Sequence, residues 1–271
     1  MQKTTIDQQH APSLLPDGHS WQLAWNDEFD GTELDRAKWF PRLHIMQQRF
    51  RTFCEDAFFL DGESNLHLTT YEKDGHFYST QLQTGENFLD RPGNPYSSAL
   101  SWPIAQFSEP KFLHKYGYYE VRCKLQKQPG WWSAFWMQSP IIGANMDTAT
   151  TGVELDIMEN FTRDGLVSHN LHWGGYGKDH KHVGSGNIPT LGSLDDFHYY
   201  GMDWSPNGYV FYIDGKESWR SDIPVSHCEQ FIILSTECQG YRRGDKPAPE
   251  LTKDAEKDAF VIDFVRVFDR S

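Results

Sequence analysis

The 271-residue sequence predicts an all-β protein, an antiparallel β-jelly-roll sandwich, and three observations carry that prediction. Ten or more short runs alternate apolar and polar residues with the two-residue period of strands. Gly, Pro, Asn and Asp cluster between those runs, as turns require. No stretch carries the 3.6-residue period of a long amphipathic helix, and no internal repeat is visible.

Residues 1–20 are polar, with Pro and Gly, and read as a flexible N-terminal tail. No linker-like shift in composition follows, so residues 21–271 read as a single domain. "WQLAWNDEF" and "NLHLTTYEK" open the strand series. In "YGYYEVRCKLQ" alternation puts Tyr119, Val121, Cys123 and Leu125 on one face and Tyr118, Glu120, Arg122 and Lys124 on the other. "WWSAFWMQ" sets Trp132, Ala134 and Trp136 against Trp131, Ser133 and Phe135. "GVELDIMENF", "LVSHNLHW" and "FHYYGMDW" follow, and "GYVFYI" lies between the turns Pro206-Asn207-Gly208 and Asp214-Gly215. "EQFIILSTE" and "FVIDFVRVF" close the series, with residues 243–259 as a long surface loop between them.

Composition narrows the function classes. A net charge of -13 argues against nucleic acid or an anionic membrane surface as the main partner. No run approaches the ~20 apolar residues that span a bilayer. Aromatics make up 15% of the chain, with 10 Trp, more than a core alone demands; flat sugar faces are a common partner for such a surplus. The N-terminus lacks an apolar signal core, so an extracellular or periplasmic location is expected only if a signal peptide has been removed. The four Cys show no metal-type spacing and allow three disulfide pairings if oxidised.

"GVELDIMENF" places Glu154, Asp156 and Glu159 within six residues of an otherwise apolar run. In a regular strand Glu154 and Asp156 share a face and Glu159 points to the core. A one-residue bulge near Ile157-Met158 returns Glu159 to the other two, with Val153, Leu155 and one of Ile157 or Met158 on the core side. Clustered carboxylates suit retaining glycoside hydrolysis, in which an ionised carboxylate attacks the anomeric carbon and a protonated one supplies the leaving oxygen's proton. Such pairs stand about 5–5.5 Å apart. An acidic solvent face or a calcium-binding edge fits the spacing equally well.

The surrounding residues favour the chemistry. "ELDIMEN" resembles the E-[LIV]-D-x-x-E signature of glycoside hydrolase family 16, in its bulged, laminarinase- and agarase-like form. "WNDEFDG", "LDRAKW", "FLDGESNLHLTT", "KYGYYEVRCKL", "PGWWSAFWMQ", "DFHYYGMDWSPNGYVFYIDGK" and "FVIDFVRVF" resemble the family's other strands, in order, from about Trp21 to Phe268. The resemblance implies a concanavalin A-like jelly roll with a concave cleft, and retaining endo-action on a polysaccharide. It implies Glu154 as nucleophile, Glu159 as acid/base and Asp156 as the assisting carboxylate. It also implies a structural calcium at Glu28, the Gly62 backbone and Asp263, far from the cleft, with no cofactor needed for catalysis.

Substrate is less determined. "IILSTECQG" stands where laminarin-cleaving members carry a stretch like "LILNLAVGG", placing Ser235 and Glu237 on one face. "HNLHWGGYGKDHKHVGSG" is richer in His and Gly than is usual in the family. β-1,3-Glucan of laminarin type is the first expectation, a galactan (agar, porphyran or carrageenan) the alternative, and a non-catalytic carbohydrate-binding protein the rival class. Trp132 and Trp136 are expected as sugar-stacking platforms, though core packing also explains them, with Trp131 and Trp173 as weaker candidates; His172 is expected to hydrogen-bond substrate hydroxyls or Glu159, and Glu237 to add a charged group to the cleft face. The spacing of His169, His172, His180 and His182 does not match a zinc motif. Arg49, Arg51, Lys178, Lys181, Arg242 and Arg243 are the cations that would meet an anionic polymer, or plain solvated charges. A monomer is expected.

Overall fold

The structure is a computed structural model that describes residues 1–45, 48–49, 52–87, 108–161, 164–238 and 246–271. Among them are two antiparallel sheets of eight strands each. The front sheet runs Lys181–Gly184, Leu166–Trp173, Glu154–Asn160, Trp131–Gln138, Phe231–Cys238, Gln81–Gln83, Phe40–Pro41, with Ile188–Pro189 also paired to Leu166–Trp173. The back sheet runs Lys216–Ser221, Gly208–Ile213, His198–Ser205, Gly117–Lys124, Phe260–Arg270, Leu66–Leu68, Phe58–Leu60, and Trp21–Asp27 pairs with Phe260–Arg270. Strands adjacent in space come from distant parts of the chain, as in a jelly-roll sandwich.

The core lies between the sheets and follows the alternation. Tyr119, Val121, Cys123 and Leu125 enter it from the back sheet; Phe135, Met137, Leu155 and Leu171 enter from the front. Both Ile157 and Met158 are core residues with 0% exposure, not one of the two. Each such side chain contributes roughly 1.5–3 kcal/mol by leaving water, so neither is readily surrendered to the surface.

Two expectations fail for the same reason, covered apolar surface. The first 20 residues are no loose tail: Gln2–Thr4 and Ser13–Leu15 form a hairpin against the back sheet, with Leu15 packed on Tyr118 and Phe268. Buried Arg266 fastens it, donating to Ala11 O (2.8 Å) and Ser13 Oγ (2.9 Å) while gripping Glu28 through Nε (2.9 Å) and Nη2 (2.7 Å). Residues 243–259 are likewise not all surface. Ala248, Leu251 and Ala255, the last in the 3₁₀ turn Lys253–Lys257, pack with Phe77 and Cys238 around Trp131. All four cysteines are free thiols. Among the described residues, no helix is long and apolar enough to cross a membrane.

The hairpin also buries Glu120, whose Oε1 accepts from Leu14 N at 2.8 Å. Burial pushes this carboxyl up to about 7, against the pull of its hydrogen bonds to Leu14 and Ser13 and the charge of Arg266. The folded state therefore holds a proton that the unfolded chain releases, and its stability falls as pH rises through the interval between the two pKa values. Glu120→Gln keeps the acceptor without the charge. Thermal unfolding should show it more stable than the parent above pH 7, by on the order of 3 kcal/mol at most, with the gain vanishing below the ordinary carboxylate range.

Candidate active site

Strand Glu154–Asn160 carries a bulge. Against Leu166–Trp173, Asp156 faces Asn170 and Glu159 faces Ser168, so two residues stand opposite His169 alone. Against Trp131–Gln138 the register slips between Phe135 and Trp136. The slip changes the parity of the strand. Glu154, Asp156 and Glu159 thereby share the outer face of the front sheet while Ile157 and Met158 both point inward.

Each carboxylate has its own surroundings. Glu154 Oε2 accepts from Gln138 Nε2 and from Tyr176 OH, both at 2.5 Å. Burial and the neighbouring Glu154 hold the Tyr176 phenol well above its usual range, so its hydroxyl keeps the proton it donates. Gln138 is itself oriented by Asn87 Nδ2 (2.7 Å) and Arg42 Nη2 (3.3 Å), which donate to its Oε1. Asp156 Oδ2 lies 3.3 Å from His172 Nε2. His172 Nδ1 is 2.9 Å from His180 Nε2, with those rings stacked at 5.1 Å, and His182 also stacks on His172 at 5.6 Å. Glu159 Oε2 accepts from Asn170 Nδ2 at 2.5 Å. Burial first, then the charge of Asp156, pushes the Glu159 carboxyl well above the ordinary range, with Glu154 adding to the effect and Asn170 and His172 opposing it.

The other expected residues divide. Trp132 is half-buried, stacks on Phe161 (4.9 Å, 25°) and stands across from Glu237. Glu237 is buried on that outer face and accepts from Gln81 Nε2. His172 meets Asp156 and His180, and Trp173 ends its strand half-buried. Trp136 is not a free platform: it is 6% exposed, its Nε1 donates to Ser235 Oγ (3.0 Å), and the Arg42 guanidinium covers its ring at 5.2 Å. Trp131 is 1% exposed and belongs to the apolar cluster under residues 246–257, so it cannot stack on a sugar. Lys178 and Lys181 are exposed; Arg51, Arg242, Arg243 and the Arg49 side chain lie outside the described residues.

The calcium expectation does not fit the side chains. Arg266 engages both oxygens of Glu28, and Arg122 Nη1 donates to Asp263 Oδ2. Two guanidinium cations thus stand where a calcium ion would need free carboxylate oxygens. Gly62 occupies a separate tight turn, at φ +78°, organised by Asp61. Among the described residues, the one set of three or more side chains placed to hold a metal is Glu154, Asp156 and His172, whose donor atoms lie within 4.8 Å of one another. His169 points into the sandwich, away from the other histidines.

Sequence reasoning missed Gln138, Asn170, Tyr176 and Arg42. Gln138 shares its parity with Trp132 and Trp136, and Asn170 with His172, so alternation alone would have found those two. Tyr176 and Arg42 lie where no periodic signal exists.

Residues 59–223 match the model of glycosyl hydrolases family 16. The chain belongs to that family. It is 29% identical over 200 residues to glucan endo-1,3-beta-glucosidase A1 of Niallia circulans, covering 72% of this chain but only 28% of that enzyme. It is 27% identical over 303 residues to beta-porphyranase B of Phocaeicola plebeius, covering 97% and 90% of the two chains. The catalytic domain of an endo-1,3-beta-glucanase (laminarinase) from Thermotoga petrophila superposes with a TM-score of 0.64 at 22% identity, over 93% of this chain and 99% of that domain. The chain thus shares the jelly-roll fold of family 16 and spans little more than a quarter of the Niallia relative.

A buried carboxyl with a raised pKa weakens the fold at neutral pH, because the unfolded chain releases the proton more readily. Glu159→Gln should therefore raise the melting temperature at pH 7 and lose that advantage in acid below the ordinary carboxylate range, as differential scanning calorimetry would show. A second expectation concerns Gly184, where a Cβ would lie 2.0 Å from Asn170 Oδ1. Gly184→Ala should dislodge Asn170 from Glu159 and lower turnover about tenfold or more without unfolding the protein; unchanged turnover would show that the amide is dispensable.

Proposed function

We propose that this member of glycosyl hydrolase family 16 cleaves internal β-glycosidic bonds of a polysaccharide with retention of configuration. The observation that carries the reading is the bulge, which sets Glu154, Asp156 and Glu159 on one face with different surroundings. Glu154 is held by two donors on Oε2, which leaves Oε1 to attack the anomeric carbon. Glu159 keeps a proton where an ordinary carboxyl loses it, and hands that proton to the departing oxygen. The glycosyl–Glu154 ester is then hydrolysed by a water that Glu159, now ionised, deprotonates. Asp156 carries the negative charge that keeps Glu159 protonated before the first step and favours its reprotonation in the second. The chemistry needs two carboxyl groups, no metal and no second copy of the chain.

β-1,3-Glucan is the substrate the face fits best. Described groups on it are the carboxylates, Glu237, Ser235, Gln81 and Gln138, and its cation Arg42 is turned onto Gln138 and Trp136. Among the described residues the floor is acidic and amide-rich, which favours a neutral polymer over a sulfated or uronic one. The Trp132–Phe161 stack offers an aromatic wall beyond Glu159. Galactan cleavage is the second reading, favoured by alignment with beta-porphyranase B over nearly the full length of both chains.

Reducing-end release should be measured on laminarin, mixed-linkage glucan, agarose, porphyran and carrageenan. Laminarin cleavage is expected, with Glu154→Gln and Glu159→Gln each lowering it by about 10²-fold or more. Asp156→Asn should cost less than Glu154→Gln. Activity should fall as pH rises past the raised pKa of Glu159, because the ionised form has no proton to give. Full activity of Glu159→Gln on laminarin would overturn the assignment.

A further inference from the structure

The bulge needs an anchor of its own. Met158 pairs with Phe135 and Asp156 with Trp136, so Ile157 is passed over on that side, and on the other side His169 stands alone opposite Ile157 and Met158. A buried carbonyl that loses its ladder donor costs about 1–3 kcal/mol unless something replaces it. His169 replaces it: Nδ1 lies 2.6 Å from Ile157 O. A carbonyl only accepts, so Nδ1 carries the hydrogen. Across the sandwich, His169 Nε2 lies 2.8 Å from Ser218 Oγ in the back sheet, and the neutral ring accepts the hydroxyl proton there. Phe211 stacks on the ring (4.8 Å, 28°), and Ser185 Oγ accepts from His169 N at 3.0 Å. Burial lowers the ring to about 4, which keeps it neutral at ordinary working pH.

We infer that His169 is a positioning residue for the acid/base carboxyl. Its Nδ1–H holds the Ile157 carbonyl and fixes the bulge that turns Glu159 toward Glu154, while Ser218 fixes the tautomer from the opposite sheet. The inference rests on the role proposed for Glu159, two residues beyond the clamped carbonyl. His169 touches no substrate, and its partner Asn170 in sequence is the residue whose amide reaches Glu159. The clamp and the Glu159 contact therefore lie on consecutive residues of one strand.

The test separates positioning from general stability. kcat/KM is measured on laminarin, whose leaving sugar needs a proton, and on 2,4-dinitrophenyl β-laminaribioside, whose leaving group does not. Glu159→Gln should lose about 10²–10⁴-fold on laminarin and little on the aryl glycoside. His169→Phe keeps the ring stack but not the donor. It should show the same selectivity, with roughly 10–100-fold lost on laminarin and under about threefold on the aryl glycoside. His169→Asn, whose amide replaces Nδ1–H, should recover most of the loss, and Ser218→Ala should fall between them. Equal losses on both substrates, or none, would overturn the inference; selective loss in Glu159→Gln without it in the His169 variants would sink the clamp alone.

A spectroscopic arm does not depend on turnover. In [15N]histidine spectra, His169 should be the neutral Nδ1–H tautomer from about pH 5 to 8. In [13C]glutamate spectra, the high Glu159 titration should drop toward the ordinary carboxylate range in His169→Phe, or in Ser218→Ala if the former does not fold. An Nε2–H tautomer, or an unmoved Glu159, would refute the clamp.

Discussion

Ile157 and Met158 are adjacent, apolar and both buried, and strand alternation can bury only one of two neighbours. The bulge resolves that conflict, and the shared face of Glu154, Asp156 and Glu159 follows from it. Removing both side chains from water contributes roughly 3–6 kcal/mol. Bringing charged carboxylates together opposes it: two unit charges about 5 Å apart repel by about 3 kcal/mol at an effective dielectric of 20. A change of register would expose the core residues. Holding a proton costs only about 1.4 kcal/mol per pH unit above the carboxyl's ordinary pKa. The chain takes the second course, and Glu159 holds the proton. Apolar packing thus does the work of tuning an acid.

Much of this was legible in the sequence because the strands obey a two-residue period. The faces of Gly117–Lys124 and Trp131–Gln138 came out as alternation predicts, and parity alone demanded a bulge between Asp156 and Glu159. Period could not say how far each face was covered. Trp136 lies on the outer face as expected, yet Arg42, remote in sequence, sits over its ring. Trp131 lies at the strand end, where a loop with no pattern of its own supplies the cover. The first 20 residues look tail-like because few are apolar, but buried Leu15 and two hydrogen bonds from Arg266 hold them. Contacts between distant segments have no local signature.

The same limit applies to cations. Glu28 and Asp263 have the residue types a calcium ion wants, and only the fold shows that Arg266 and Arg122 reach them first. A guanidinium with fixed, forked donors satisfies a buried carboxylate without a dehydrated metal. Among the described residues on the front face, Arg42 meets Trp136 and Gln138, and Glu154, Asp156 and Glu159 meet amides, a phenol and an imidazole. Those partners orient a carboxyl without neutralising it. A lysine or arginine bonded to Glu159 in place of the Asn170 amide would draw its proton off.

Glu120 and the proposed acid Glu159 make the distinction between a structural and a chemical carboxyl concrete. Both are buried and both titrate high. Glu120 is raised chiefly by desolvation beneath the N-terminal hairpin, and a backbone amide and the Ser13 hydroxyl bond to it there; it faces no open surface. Glu159 adds to desolvation the charges of Asp156 and Glu154, and it stands on the face those groups share. Glu28 also raises Glu120, but Arg266 grips both oxygens of Glu28, whereas the two carboxylates that raise Glu159 share its strand and its outer face. In this chain the backbone feature that places them there is two residues long, and the core chose its position.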